Sequence, residues 1–169
     1  MQKSLALAPG LAIIILSERI YNERIKNSPS KTLYFDFNSY INNGSRGQTP
    51  FTPAVRVMLE LHDMLCRIKE KGLNEKLLEV KTIASDFRKR LVQETTLKLP
   101  DYPMSNALTA LIFPDENALD IFEKLKNDHN VMLTPNGGEL GKKLLRVGHI
   151  GNHSINDNIM LIKLLKQYC

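Results

Sequence analysis

The sequence predicts an α/β fold, and three observations lead to that prediction. Segment 106–113 has the composition of a strand and is closed by Pro114. Segments 131–134 and 144–150 indicate two further short strands, separated by a turn rich in glycine. Segments 115–128 and 154–165 have apolar residues at helical spacing. The order strand, helix, two strands, helix predicts a small sheet with helices over one face.

The start of the chain combines a lysine with a long apolar run. Lys3 lies in a polar segment, and the isoleucine-rich run 11–16 that follows is typical of a fully buried strand. A lysine has chemistry beyond its charge when a dry pocket lowers its pKa and holds its amine near a carbonyl, where it forms a Schiff base. By itself Lys3 is more typical of an ordinary solvated lysine, so the case for a chemical role depends on the other segments.

Segment 44–72 predicts a well-defined helix start. Thr52 occupies the expected N-cap position and Pro53 the first helical position, where a missing N–H costs nothing. The predicted buried stripe consists of Ala54, Met58, Leu61, Leu65 and Ile68. Arg46, Gln48 and Thr49 precede the cap and could help the positive end of the helix dipole to bind a phosphate. A plain capped helix after a polar loop is the alternative.

Segment 131–151 places one arginine inside an apolar strand. Arg146 lies between Leu145 and Val147 and close to a turn that contains Pro135. A buried guanidinium needs a fixed partner, because an unpaired buried charge is costly. Its planar shape suits a carboxylate, which it can hold with two parallel hydrogen bonds. A structural salt bridge to an acid of the same chain is the alternative.

Three further helices complete the predicted elements. The helix after Gly72 should bury Leu73, Leu77, Val80, Ala84, Phe87 and Leu91. The helix in 115–128 should bury Ala118, Ile121, Phe122 and Leu125. The last helix should start at Ser154, with Asp157 as a variant of a capping box, and should bury Ile155, Ile159, Ile162 and Leu165. A domain boundary is predicted near Gly72.

Composition excludes several classes of function. With 169 residues, of which 43% are hydrophobic, the chain can bury one core of domain size. The net charge of +5 comes without a nucleic-acid motif, and its basic residues are interleaved with acids, which favours solvated helix surfaces. Cys66 and Cys169 have no metal or redox spacing, and His149 and His153 are separated by a turn. The first apolar run is too short for a membrane span. We therefore expect a cytoplasmic protein without a metal or membrane site.

Four motifs occur in a recognisable order: QKSLALAPGLA, YFDF, RGQTPFTPAV and PNGGELGKKLLRVGHIG. Together they closely resemble the C-terminal half of class V, fold-type I, pyridoxal-phosphate-dependent aminotransferases, in the branch of alanine–glyoxylate, serine–pyruvate and 2-aminoethylphosphonate aminotransferases. The resemblance implies that residues 1–72 are the C-terminal part of the cofactor-binding large domain. It implies that residues 73–169 are the small domain, with a short and mainly antiparallel sheet.

The resemblance also implies roles for individual residues. Lys3 matches the lysine that bonds covalently to pyridoxal phosphate and shuttles the proton, and Gln2 matches a residue near the cofactor phosphate. Gln48, Thr49 and Thr52 match a segment that reaches the phosphate of the partner subunit in a homodimer. Arg146 matches the arginine that clamps the substrate carboxylate. The substrates would be small amino and oxo acids.

The family places the acid that pairs with the pyridine nitrogen, the ring-stacking residue and the main phosphate loop before the lysine. These groups are therefore expected upstream of this chain. Two functions compete at this stage. The chain is either the C-terminal portion of a transaminase or a catalytically silent fragment that acts only in assembly or dimerisation.

Overall fold

The computed structural model describes residues 3–169, which form two compact units. The first unit ends at Leu65 and the second comprises Cys66–Cys169. The division falls within helix α3 (Val55–Lys71), whereas the predicted domain boundary at Gly72 lies at the junction of α3 with helix α4 (Leu73–Glu94). Gly72 has φ 94° there, a backbone conformation that glycine adopts at no steric cost.

The first unit consists of short helices and loops. Helix α1 (Glu18–Ile20) starts at Ser17, whose hydroxyl accepts a hydrogen bond from the Ile20 amide, and continues into a π-helical turn (Tyr21–Ile25). Helix α2 (Phe37–Gly44) starts at Asp36, whose carboxylate caps the Asn38 amide at 3.1 Å. Loops connect these helices to α3.

The prediction of a buried strand at 11–16 is wrong. The segment has no regular secondary structure, and Ile15 is 92% exposed. A strand needs a neighbour to satisfy its backbone hydrogen bonds, and residues 3–65 contain no other strand in the structure. The apolar run therefore lacks both the partner strand and the covering layer that its composition requires.

The helix start predicted at Thr52 is also wrong. Helix α3 begins at Val55, and its first intrahelical bond runs from the Met58 amide to the Ala54 carbonyl at 3.0 Å. The Val55 amide instead bonds to the Pro53 carbonyl at 2.8 Å, in a tight turn that delays the helix by two residues. Of the described α3 side chains only Val57 is buried, and Met58 from the predicted stripe is 43% exposed.

The second unit contains a three-stranded antiparallel sheet with strand order β1-β3-β2, which confirms the predicted α/β fold. The strands are β1 (Leu108–Ile112), β2 (Thr134–Pro135) and β3 (Leu144–Gly148). The register sets Arg146 of β3 opposite Ala110 of β1 and Thr134 of β2. Helices α4 and α5 (Ala118–His129) pack on the sheet, and α6 (Ile155–Leu165) packs on α4.

The core of the second unit confirms most of the predicted helix faces. All four residues predicted for α5 are buried, and the α6 capping box between Ser154 and Asp157 is present. In α4 only the second half is buried, since Leu77 is 58% exposed. In α6 the stripe is rotated: Ile159 is 45% exposed and Asn158 is buried. The main core residues are Phe87, Leu91, Leu111, Phe113, Ile121, Leu125, Leu145, Ile162 and Leu165.

Candidate functional site

Lys3 lies at the beginning of the described chain with an exposed side chain. Its carbonyl accepts a hydrogen bond of 3.1 Å from the Ala6 amide, which closes a turn with Ala6 at φ 50°. The amine is therefore on the surface of the first unit, where a ligand carbonyl could reach it. Gln2, the other predicted residue of this motif, lies outside the described residues.

The predicted phosphate residues lie in the loop between α2 and α3. The loop folds back on the end of α2, because the Gln48 amide bonds to the Asn43 carbonyl at 3.0 Å and Gly47 adopts φ 69°. Thr49 donates its hydroxyl proton to the Phe51 carbonyl at 2.7 Å. Gln48, Thr49 and Thr52 are all exposed. An amide and two hydroxyls thus remain accessible along one short loop.

Two of these residues line an open groove of about 1070 Å³ in the first unit. Thr49 and Thr52 are among its polar residues, while most of its wall is apolar. Tyr34 stacks on Phe51 with ring centroids 5.1 Å apart, and its ring meets that of Phe35 edge-on at 5.3 Å. The apolar lining includes Leu11, Ala12, Ile13, Ile14, Leu16, Phe37, Ile41, Met58 and Leu61. Sequence reasoning did not identify this groove, whose walls come from distant segments.

Arg146 lies on the sheet of the second unit, on the opposite face from its strand neighbours Leu145 and Val147. Its Nη2 donates to the Pro135 carbonyl at 3.1 Å. The Nε atom is buried and has no hydrogen-bond partner among the described residues. No acid in the part of the chain that the structure describes pairs with it. The alternative of a structural salt bridge therefore finds no support in the structure.

The glycine-rich turn between β2 and β3 holds the Pro135 carbonyl in place. Gly138 has φ 62°, which favours glycine. At Gly141 a side chain would come within 2.7 Å of the Asn136 carbonyl oxygen, so the backbone could not pass there with a Cβ atom. The two glycines therefore permit the compact turn that brings the Pro135 carbonyl to Arg146.

A buried polar network that sequence reasoning missed lies in the core of the second unit. Arg88 donates from Nε to the Thr109 hydroxyl at 2.8 Å, and the same hydroxyl lies 2.7 Å from Nε2 of His149. Burial lowers the pKa of His149 to about 4, and the Arg88 charge adds to this effect. His149 is therefore neutral at pH 7. The sequence signal for this network was one threonine and one histidine within predicted strands that are otherwise apolar.

The two predicted reactive groups, Lys3 and Arg146, belong to different units. Across residues 3–169 no cluster of three His, Cys, Asp or Glu side chains could hold a metal ion. The helices of this described range are also too short or too polar to cross a membrane.

Comparison with known proteins gives the chain a family context. No protein-family model matches it. It is 29% identical over 172 residues to the soluble hydrogenase 42 kDa subunit of Anabaena cylindrica, which covers 98% of this chain and 43% of that protein. It is 24% identical over 160 residues to the serine–glyoxylate aminotransferase of Methylorubrum extorquens, covering 89% of this chain and 39% of that enzyme. The relatives that the chain resembles include class V aminotransferases.

The solved structures support the same fold. The ureidoglycine–glyoxylate aminotransferase of Bacillus subtilis matches with a TM-score of 0.86 at 20% identity, over 98% of this chain and 44% of that one. The chain therefore has the fold of the C-terminal part of fold-type I aminotransferases. It spans less than half the length of the relatives it matches.

Proposed function

We propose that the chain is the C-terminal portion of a pyridoxal-phosphate-dependent aminotransferase. The complete enzyme would move an amino group between a small amine or amino acid, such as 2-aminoethylphosphonate, alanine or serine, and a 2-oxo acid, such as pyruvate or glyoxylate. The observation that carries the proposal is Arg146, whose buried Nε has no partner among the described residues. The homology to aminotransferases supports the reaction class.

Arg146 would bind the substrate carboxylate. Its Nη2 is already held by the Pro135 carbonyl, so the plane of the guanidinium is set before a ligand arrives. A carboxylate at Nε would give the buried donor the partner it lacks and would neutralise the charge. Ala110, the residue opposite on β1, is small and leaves room beside the guanidinium.

The accessible groups of the first unit fit the chemistry of the cofactor. The Lys3 amine is accessible to an aldehyde, and the Thr49 and Thr52 hydroxyls with the Gln48 amide are accessible to a phosphate. When bound, pyridoxal phosphate supplies the electron sink for the amino-group transfer. Lys3 would hold the cofactor and carry the proton, and the loop residues would reach the phosphate of the second subunit of a homodimer. Gln2 would assist near the phosphate.

The first 72 residues would belong to the large domain and residues 73–169 would form the small domain. The chain alone would be inactive, because the acid that keeps the pyridine nitrogen protonated would come from the upstream part of the enzyme. Its location would be cytoplasmic, as expected from its cysteine pattern.

An absorbance scan tests the proposed role of Lys3. The complete enzyme is mixed with pyridoxal phosphate, scanned, reduced with borohydride and digested for peptide mapping. The label should appear on Lys3, and the Schiff-base band should be lost in Lys3→Ala. Lys31→Ala and Lys142→Ala serve as matched controls and should keep the band. A label on Lys31 or Lys142 would show that the assignment is wrong.

A second candidate function is that of a catalytically silent dimerisation module. The observation in its favour is the apolar surface around the groove of the first unit, where Ile13 is 60% and Phe35 75% exposed. In this case a second copy of the chain would cover the groove. The module would dimerise in sedimentation experiments without any absorbance band, and Phe35→Ser would weaken the dimer.

A further inference from the structure

The hydrogen-bond network of Arg88, Thr109 and His149 lies on the core face of the sheet, whereas Arg146 lies on the other face. A guanidinium can only donate hydrogen bonds, so the Thr109 hydroxyl accepts from Arg88. The same hydroxyl lies 2.7 Å from Nε2 of His149, and it donates its own proton there when the histidine carries its proton on Nδ1. Each of the two short contacts depends on the other, because both use the same hydroxyl.

Such a network in a core selects one arrangement of the chain. Thr109 is fully buried and His149 is 2% exposed. Buried polar groups are costly when they lack partners, so any rearrangement that separates this pair is penalised. Apolar side chains at the two positions would impose no comparable penalty, because they can pack against many neighbours.

The arrangement selected here is the register of β3 against β1. A slip by one residue would turn Arg146 into the core, and the apolar pattern already prevents it. A slip by two residues keeps Leu145 and Val147 on the core face, so the pattern does not prevent that slip. It would move Arg146 by about 7 Å along the sheet. It would also replace Ala110 opposite Arg146 by a large side chain.

The contact between His149 and Thr109 runs diagonally across the strand pair, so a two-residue slip that moves His149 further from Thr109 breaks it. Val147 is the residue opposite Thr109, and His149 follows two positions later on the same face of the strand. The His149 amide extends the ladder with a bond of 2.9 Å to the Ala107 carbonyl. Arg88 of α4 holds the start of β1 in place, since its Nη2 donates to the carbonyls of Ser105 at 2.6 Å and Leu108 at 3.1 Å.

We propose that Thr109 and His149, anchored by Arg88, are positioning residues that set the register of β3 and so hold Arg146 where it binds a carboxylate. The carboxylate part of this inference rests on the proposed function. The network itself touches neither the substrate nor the Arg146 guanidinium. It acts through the strand alone.

Nuclear magnetic resonance of the chain as it stands tests the register. Thr109→Val removes the shared hydroxyl at nearly constant volume, and Thr109→Ser retains it. Asn158→Ala is the matched control, since it removes a buried polar contact between α6 and α4 instead. We expect Thr109→Val to split or broaden the Arg146 Nε–H signal and to weaken the Ala110–Arg146 cross-strand contacts. Thr109→Ser and Asn158→Ala should keep a single sharp Arg146 Nε–H signal.

A single sharp Arg146 signal with unchanged cross-strand contacts in Thr109→Val would overturn the proposal. If Thr109→Val does not fold, Arg88→Lys replaces it, because it keeps the charge but loses the bonds to Ser105 and Leu108. The same broadening is then expected, and its absence would equally overturn the proposal.

The complete enzyme gives a second readout. Displacement of a binding group by ångströms costs tenfold to a hundredfold, so Thr109→Val should raise the KM for pyruvate by that factor, with rescue by Thr109→Ser. Asn158→Ala should lower Tm without changing this KM. If Arg146→Lys impairs pyruvate but Thr109→Val does not, the positioning role is wrong. If Arg146→Lys has no effect on pyruvate, the proposed function is wrong, and the resonance experiment still decides the register.

Discussion

The Nη2 atom of Arg146 donates a hydrogen bond to the carbonyl oxygen of Pro135, 3.1 Å away. The contact joins the middle of β3 to the short edge strand β2 and leaves the buried Nε without a partner among the described residues. One side of the guanidinium is therefore occupied by the protein itself. The other side keeps its capacity to bind an anion.

Substitution of Arg146 by lysine should impair the carboxylate substrate in the complete enzyme. Lysine keeps the charge but loses the planar fork and the bond to Pro135. We expect weaker binding of pyruvate or glyoxylate by about 1.5–3 kcal/mol, as for a hydrogen bond to a charged group. The measurement is the KM for the oxo acid.

2-Aminoethylphosphonate is the control for this substitution, because it lacks a carboxylate. Its half-reaction should proceed almost unchanged in Arg146→Lys. A loss of thermal stability with equal effects on both substrates would instead indicate a structural role. Strong use of 2-aminoethylphosphonate by the unmodified enzyme would favour the phosphonate branch over alanine–glyoxylate exchange.

The purified chain should have negligible transaminase activity by itself. The group that would keep the pyridine nitrogen protonated is expected upstream, and without it the electron sink is weak. The assay measures alanine with glyoxylate and 2-aminoethylphosphonate with pyruvate, both with added pyridoxal phosphate. Turnover above the level of free cofactor would contradict the prediction.

The stability of the second unit should fall as the pH drops from about 6.5 to about 4. The pKa of His149 is lowered to about 4 in the folded chain by burial, while an unfolded histidine titrates near its ordinary value of 6.5. Within this window the unfolded state binds more protons than the folded state. The contribution of His149 to stability is therefore fully present above pH 6.5 and is lost as the pH falls towards 4. The loss from this group should be about 2–3 kcal/mol.

Urea unfolding at pH 7 and pH 4.5 measures this effect. His149→Gln should unfold with a smaller difference between the two pH values than the unmodified chain. His153→Gln is the matched control, because His153 is exposed in the same loop. If both variants reduced the difference between the free energies of unfolding at pH 7 and pH 4.5 equally, the burial of His149 would not be the cause of the pH dependence.

Substitution of Phe87 by alanine should destabilise the second unit strongly. Phe87 is fully buried in the core, and removal of such a ring typically costs about 3–5 kcal/mol. Leu77→Ala on the same helix is the control, since Leu77 is 58% exposed and should change the free energy of unfolding by less than about 1 kcal/mol. Chemical denaturation of both variants checks the comparison, and similar costs would contradict the packing of α4.

The sequence by itself determined the elements whose signals are local. The apolar spacing of α5 placed its buried face correctly, and the Ser154–Asp157 capping box marked the start of α6. The positions of β1 and β3 followed from short apolar runs bounded by turn residues. Each of these signals depends on contacts within a few residues, which a linear pattern records directly. The assignments of Lys3 and the phosphate loop stay predictions.

The tertiary structure alone decided the features that depend on distant partners. The run 11–16 has the composition of a buried strand, but it is exposed because a strand also requires a neighbour. In α6 the side-chain amide of Asn158 donates a hydrogen bond to the Ile83 carbonyl of α4 and is buried, whereas the more apolar Ile159 is 45% exposed. His149 meets Thr109 across 40 residues of sequence. Burial of a polar group is favourable only where its partner is present, and folding alone determines which groups meet.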